Sequence, residues 1–148
     1  MGKCRCLRRL LSGTAFYASI AFDNHNVPYV AYEDGSISKL TVMKYTETSG
    51  WENVGSASIS AGDAKYCKIA IDNNGVPYVV YKDNANSLKA TVMKYSSGAW
   101  NLVGNAGFST ENAEASHTSI AIDSNCIPYV VYQKYSGSYK ATVMKFAP

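Results

Sequence analysis

The stretch "GVPYVVYKD", residues 75 to 83, is nearly repeated twice, as "NVPYVAYED" at 26 to 34 and "CIPYVVYQK" at 126 to 134. The echo reaches well beyond nine residues. Aligning Pro28, Pro77 and Pro128 gives spacings of 49 and 51, and aligning "TVMK" at Thr41, Thr91 and Thr142 gives 50 and 51. Between these anchors each copy reads S/K-I-A-F/I-D-x-x-x-V/I-P-Y-V-A/V-Y, then a polar loop, then K-L/A-T-V-M-K-Y/F. Two copies continue into a tryptophan segment, "WENVG" at 51 to 55 and "WNLVG" at 100 to 104.

Each unit reads as strands. Its apolar segments are β-branched, small or aromatic, the types that fit a pleated surface. The prolines sit at a strand's first residue, where a missing N–H costs least. "DNNG" at 72 to 75 is a turn in which Asp72 bonds its own backbone and Gly75 takes the left-handed position. Asn26 suits that position too, whereas Cys126 does not, which predicts a distorted third turn. No segment sustains an apolar period of 3.6 residues, so almost no helix is expected. The predicted strands are 18–23, 28–33, 39–45 and 51–55, then 67–72, 77–82, 89–95 and 100–104, then 118–123, 128–133 and 140–146. Four strands in a repeat of this length describe a propeller blade. The fold class is therefore all-β, a β-propeller with three blades of about 50 residues at 13–55, 56–104 and 105–148. The third copy lacks the tryptophan strand. Residues 1–12 form a separate head.

Composition limits the partners. The chain is 47% hydrophobic and 17% charged, with twelve tyrosines that belong mostly to packing at strand surfaces. The net charge of +3 depends on Lys3, Arg5, Arg8 and Arg9 in the head; without them ten lysines face eleven acids. The repeats offer no basic face, so no nucleic-acid partner is expected. The head has no uninterrupted apolar run of signal-peptide length, Cys6 stands where myristoylation wants Ser or Thr, and no segment reaches membrane-spanning length. A cytoplasmic protein without a membrane partner is the expectation. Cys4, Cys6, Cys67 and Cys126 occupy no common repeat position and read as free thiols; no metal and no cofactor are expected.

Chemistry-bearing candidates are few. Asp23, Asp72 and Asp123 recur at one position, and their turns account for them better than a ring of metal ligands does. His25 aligns with turn asparagines. Tyr17, Tyr66 and His117 align with one another, at the loops entering the innermost strands, where they would ring the mouth of an axial channel. Lys68 stands where Ser19 and Ser119 stand. Loops that differ between copies add Glu33, Asp34, Asp83 and Tyr135. These eight residues are the candidate ligand set, because a scaffold carries function in variable loops. Nucleophile-elbow, zincin and phosphate-loop motifs are absent, as is arginine after residue 9, which argues against a sialidase.

The unit "SIAIDxxxxPYVVY…KATVMKY…WxxVG" resembles tandem propeller repeats of bacterial proteins of uncharacterised function. The resemblance covers residues 13–148. It implies a ring of blades and no catalytic residue. The leading functional reading is a non-enzymatic binding module or scaffold for a small molecule, glycan or protein at the channel mouth. A lectin with sites between blades is the first alternative. A hydrolase or lyase using His117 and Lys68 is the second. Closed propellers have about four to eight blades, so two copies making six is the expected assembly. "KCRCL" at 3 to 7 alternates as a strand would and is expected to latch onto the partner's third blade.

Overall fold

The computed structural model describes residues 13–109, 116–135 and 139–146. They form three antiparallel sheets, each running in chain order from the innermost strand outward. Sheet one comprises β1 (Ala15–Phe22), β2 (Pro28–Asp34), β3 (Lys39–Thr46) and β4 (Gly50–Asn53). Sheet two comprises β5 (Ala64–Ile71), β6 (Pro77–Asp83), β7 (Lys89–Ser96) and β8 (Ala99–Leu102). Sheet three has β9 (Ser116–Ile122), β10 (Pro128–Tyr135) and β11 (Tyr139–Lys145), without a tryptophan strand among the described residues. The described helical structure is one 3-10 turn, Asn84–Asn86, and none of it is long and apolar enough to cross a membrane. The latch expected near residues 3 to 7 lies outside the described residues.

The repeated strand is buried because it is covered on both sides. In β6, Val79 and Tyr81 join Tyr29, Ala31, Leu40 and Val42 of sheet one in the first inter-sheet core. Tyr78 and Val80 point the other way and join Val130 and Tyr132 of β10 in the second. Alternate residues of one strand thus supply two cores, at about 1.5–3 kcal/mol for each buried aliphatic side chain. Trp100 fastens the first seam, its Nε1–H donating to the Val54 carbonyl at 2.7 Å.

The Asp turns are the same in all three copies. Oδ1 of Asp23 accepts from the amides of His25 and Val27, Asp72 from Asn74 and Val76, and Asp123 from Asn125 and Ile127, all at 2.9 Å. The expectation of a distorted third turn is corrected. Cys126 adopts φ 60°, beside 62° at Asn26 and 78° at Gly75. The two amide bonds to Asp123 hold the backbone there, so the thiol-bearing residue bears the left-handed strain instead of relieving it.

A second departure lies at the start of each innermost strand. β1 and β5 begin three residues earlier than expected and β9 two, because the residues assigned to entering loops lie within the strands, at bulges. Registers shift between Phe16 and Ser19, between Lys65 and Lys68, and opposite Val131 and Gln133. The bulge residues Tyr17, Tyr66 and His117 take φ of 52°, 55° and 57°.

Replacing Cys126 with glycine should stabilise the fold by about 0.5–1 kcal/mol, since glycine adopts positive φ without the steric cost. Urea unfolding of the two chains measures this, and an unchanged or lower midpoint contradicts it.

Candidate functional site

A bulge places two side chains where a regular strand would place one, and it re-aims them. Here three bulges at one repeat position bring the rings of Tyr17, Tyr66 and His117 into a ladder. Centroids lie 4.8 Å apart between Tyr17 and Tyr66 and 5.2 Å between Tyr66 and His117, with the ring planes tilted. Left-handed backbone at bulky residues costs about 1–3 kcal/mol per position and persists only where the surroundings over-determine it. Next to the ladder runs a row of polar residues at the ends of the central strands: Glu33, Lys82 and Gln133. Lys82 is buried, its ammonium 5.9 Å from the centre of the Tyr66 ring. Gln133 Oε1 is 3.1 Å from Nδ1 of His117.

Glu33 is the unusual member. It is 4% exposed, and its Oε2 is buried without a hydrogen-bond partner. Period-two alternation from Tyr29 and Ala31 turns it inward towards sheet two. Burial pushes its carboxyl above the ordinary carboxylate range; Lys65 opposes the rise, Asp63 adds to it, and a hydrogen bond from the Ser38 hydroxyl lowers it. The hollow in front of it, about 250 Å³, is lined by Phe16, Tyr17, Glu33, Ser38, Asp63 and Lys65. An aromatic wall with a few converging polar groups is the usual chemistry of a small-molecule site.

Of the eight sequence candidates, Tyr17, Glu33, Tyr66 and His117 come together at this end. Asp34 and Asp83 have local structural duties. Asp34 accepts from the amide and hydroxyl of Ser36 at 3.0 and 2.6 Å. Asp83 is fully buried and accepts from the Ala85 amide, Asn86 Nδ2 and Thr91 Oγ1, capping the 3-10 turn. Lys68 is exposed and does not border the hollow at His117, which Val131, Tyr132, Gln133 and Ala141 line. Tyr135 closes β10. Phe16, Ser38, Asp63 and Lys65 were not singled out from the sequence: Phe16 pairs with Glu33 beside the first bulge, Ser38 lies in the turn after β2, and Asp63 and Lys65 stand at the entry to sheet two.

Two further hollows lie at the opposite end, between sheets. One of about 580 Å³ is lined by residues including Tyr29, Lys44, Glu52, Val54, Val76, Pro77 and Tyr95. Its counterpart, about 180 Å³, has Tyr78, Lys94, Val103, Ile127, Pro128 and Phe146 at the corresponding repeat positions. Lys44 pairs with Glu52 at 3.3 Å in the first groove. No group of residues fit to hold a metal occurs among the described residues. Of the free thiols, Cys67 is buried, and burial pushes it up to about 12, which leaves it unreactive at neutral pH.

No protein-family model matches the chain, and no curated protein matches it in sequence. Solved structures do. A fucose lectin from Kordia zhangzhouensis, in complex with methyl-fucoside, aligns with a TM-score of 0.54 at 13% identity, over 88% of this chain and 93% of the lectin. A lectin from Aleuria aurantia, in complex with Fucα1-6GlcNAc, aligns at 0.57 and 16% identity over 88% of this chain and 48% of its own. An exo-β-1,3-galactanase from Clostridium thermocellum aligns at 0.51 and 11% identity over 81% of this chain and 32% of its own. The chain thus spans about half of the Aleuria lectin and a third of the galactanase. At these identities the likeness concerns the fold alone. That fold is all-β and of the propeller type.

Glu33→Gln tests the electrostatics. A raised carboxyl is penalised in the folded state as pH climbs from the unfolded value through the folded one, and not below both. The variant should therefore be more stable at pH 7, with the gain shrinking towards acid pH. Urea melts across pH check this; a loss of stability at pH 7, or a gain that ignores pH, contradicts it.

Proposed function

We propose that the chain is a non-enzymatic binding module of the propeller class that takes a carbohydrate at the bulge end of its innermost strands. Tyr17, Glu33, Tyr66 and His117 form the site, with Phe16, Ser38, Asp63 and Lys65 beside them. The observation that carries this reading is the orphaned oxygen of buried Glu33 in a hollow walled by aromatic rings. A buried acceptor without a donor is costly, and a ligand hydroxyl supplies the missing bond. A sugar ring also presents an apolar C–H face, which suits the Tyr17 and Phe16 rings. The lectin folds cited above are consistent with such a partner. The module is taken to work as a homodimer that completes six blades.

A second reading has its own observation. The inter-sheet grooves at Tyr29–Lys44 and Tyr78–Lys94 are repeat copies, and repeated sites favour multivalent sugars through avidity. Glycan-array screening followed by calorimetry separates the two. Glu33→Gln should weaken the selected sugar at least tenfold while stabilising the fold, and Lys44→Ala should leave affinity within twofold. The reverse pattern assigns the sugar to the grooves, and an array without any carbohydrate hit rejects both readings.

A further inference from the structure

Several residues that meet at the two internal seams have repeat equivalents that are left exposed at the ends of the stack, although Val30 and Tyr32 on the central strand of sheet one are themselves buried. Val42 of sheet one faces sheet two and is 0% exposed; Val92 of sheet two faces sheet three and is 0% exposed. Val143 holds the same position in sheet three and is 66% exposed. The opposing side of the seam behaves alike. Ile69 packs against sheet one at 7% exposure and Ile120 packs against sheet two, whereas their equivalent Ile20 is 58% exposed. Phe22 beside it and Val131 on sheet three are exposed as well. The exposed innermost strand of sheet one and the exposed side of sheet three therefore carry the residues of a seam that the chain already forms twice.

Polar groups mark the same unfinished seam. Across the first seam the Ile69 amide donates to Ser19 Oγ at 3.3 Å. Sheet two offers Lys68 at the serine position, but sheet three restores it with Ser119, opposite which Ile20 would stand. On the outer edge, Trp51 Nε1 is buried without a hydrogen-bond partner, while its equivalent Trp100 donates to Val54 of the preceding sheet. Sheet one has no preceding sheet among the described residues.

We propose that the open face of sheet three receives the open face of sheet one from a second copy of this chain, and that the partner completes a further mouth site. The ligand part rests on the binding reading above; the assembly does not. In the first hollow, sheet one contributes Tyr17 and Glu33, and sheet two contributes Asp63 and Lys65. At sheet three the corresponding pair is His117 and Gln133, bordering an open hollow of about 370 Å³. Counting from the bulge residue, the partner's Thr14 stands where Asp63 stands and the partner's Phe16 where Lys65 stands. The completed site thus replaces Glu33, Asp63 and Lys65 of the first with Gln133, the partner's Thr14 and the partner's Phe16. Sheet two separates sheets one and three within a chain, so a single copy cannot make this contact. Two copies about a two-fold axis form the seam twice and leave neither end open.

Charge substitutions on the exposed ends test this in the full chain. Light scattering should give twice the 16.0 kDa of one chain for the wild type. Val143→Glu and Ile20→Lys each alter a side chain that is exposed in the single copy, so each should fold normally by circular dichroism yet run as a monomer. Mixing the two should restore the dimer, because one seam is then wild type and the other pairs Glu with Lys. A monomeric wild type, a dimer that persists in either variant alone, or no recovery on mixing overturns the proposed interface. With only two histidines, the ring signals are readily assigned by NMR. The His117 signal should move between the wild type and Val143→Glu, and Phe16→Ala should move it without dissociating the dimer, while His25 stays unchanged. An unmoved His117 overturns the completed site. Neither readout requires a sugar, so failure of the sugar screen remains a separate result.

Discussion

A strand that is apolar on both faces has to be covered twice, and this requirement governs the whole chain. Tyr78, Val79, Val80 and Tyr81 alternate between two cores, so β6 is satisfied only by a sheet on either side. One sheet alone would leave half of each central strand in water. Stacking solves the problem for sheet two and leaves Val131 exposed on the central strand of sheet three. Contacts along the innermost strands follow from the same stacking: once the sheets lie face to face, side chains at one repeat position become neighbours. The Tyr17, Tyr66 and His117 ladder is the clearest product, three residues about 50 apart in sequence held about 5 Å apart in space.

Much of the architecture was legible because repetition removes chance. Pro28, Pro77 and Pro128 fixed the start of each central strand, and the aspartate turns set the hairpins before them. The bulges were less legible. Nothing in "FYAS", "KYCK" or "SHTS" announces a left-handed residue, and tyrosine is among the last residues one would assign there. Their conformation is imposed by pairing with the central strand, a tertiary effect. Cys126 teaches the converse lesson. Its propensity argued for a distorted turn, but two hydrogen bonds to Asp123 outweigh a cost of about 1 kcal/mol.

The site was half legible for a related reason. Glu33 attracted attention as a charged residue in a variable loop, yet its significance comes from alternation along β2, which turns it inward. Asp83 looked equally promising, and its oxygens prove to be engaged by Ala85, Asn86 and Thr91. The difference between an acid that organises a turn and one left without a donor lies in the neighbours it meets, which the loop sequence does not specify. Such an unpaired group also opposes stability, as binding groups commonly do.

The likeness of the three sheets has a cost during folding. Strands that share Pro-Tyr-Val and Thr-Val-Met-Lys can pair with the wrong copy almost as well as with their own, and tandem repeats are prone to such misassembly. Short hairpin connections within each sheet favour the local partner through low closure entropy. The departures from the repeat supply a further safeguard. Lys68 in place of serine and the buried Cys67 both distinguish the middle sheet from its neighbours. A chain with those differences erased would keep every native contact type and lose the information that says which sheet goes between the other two.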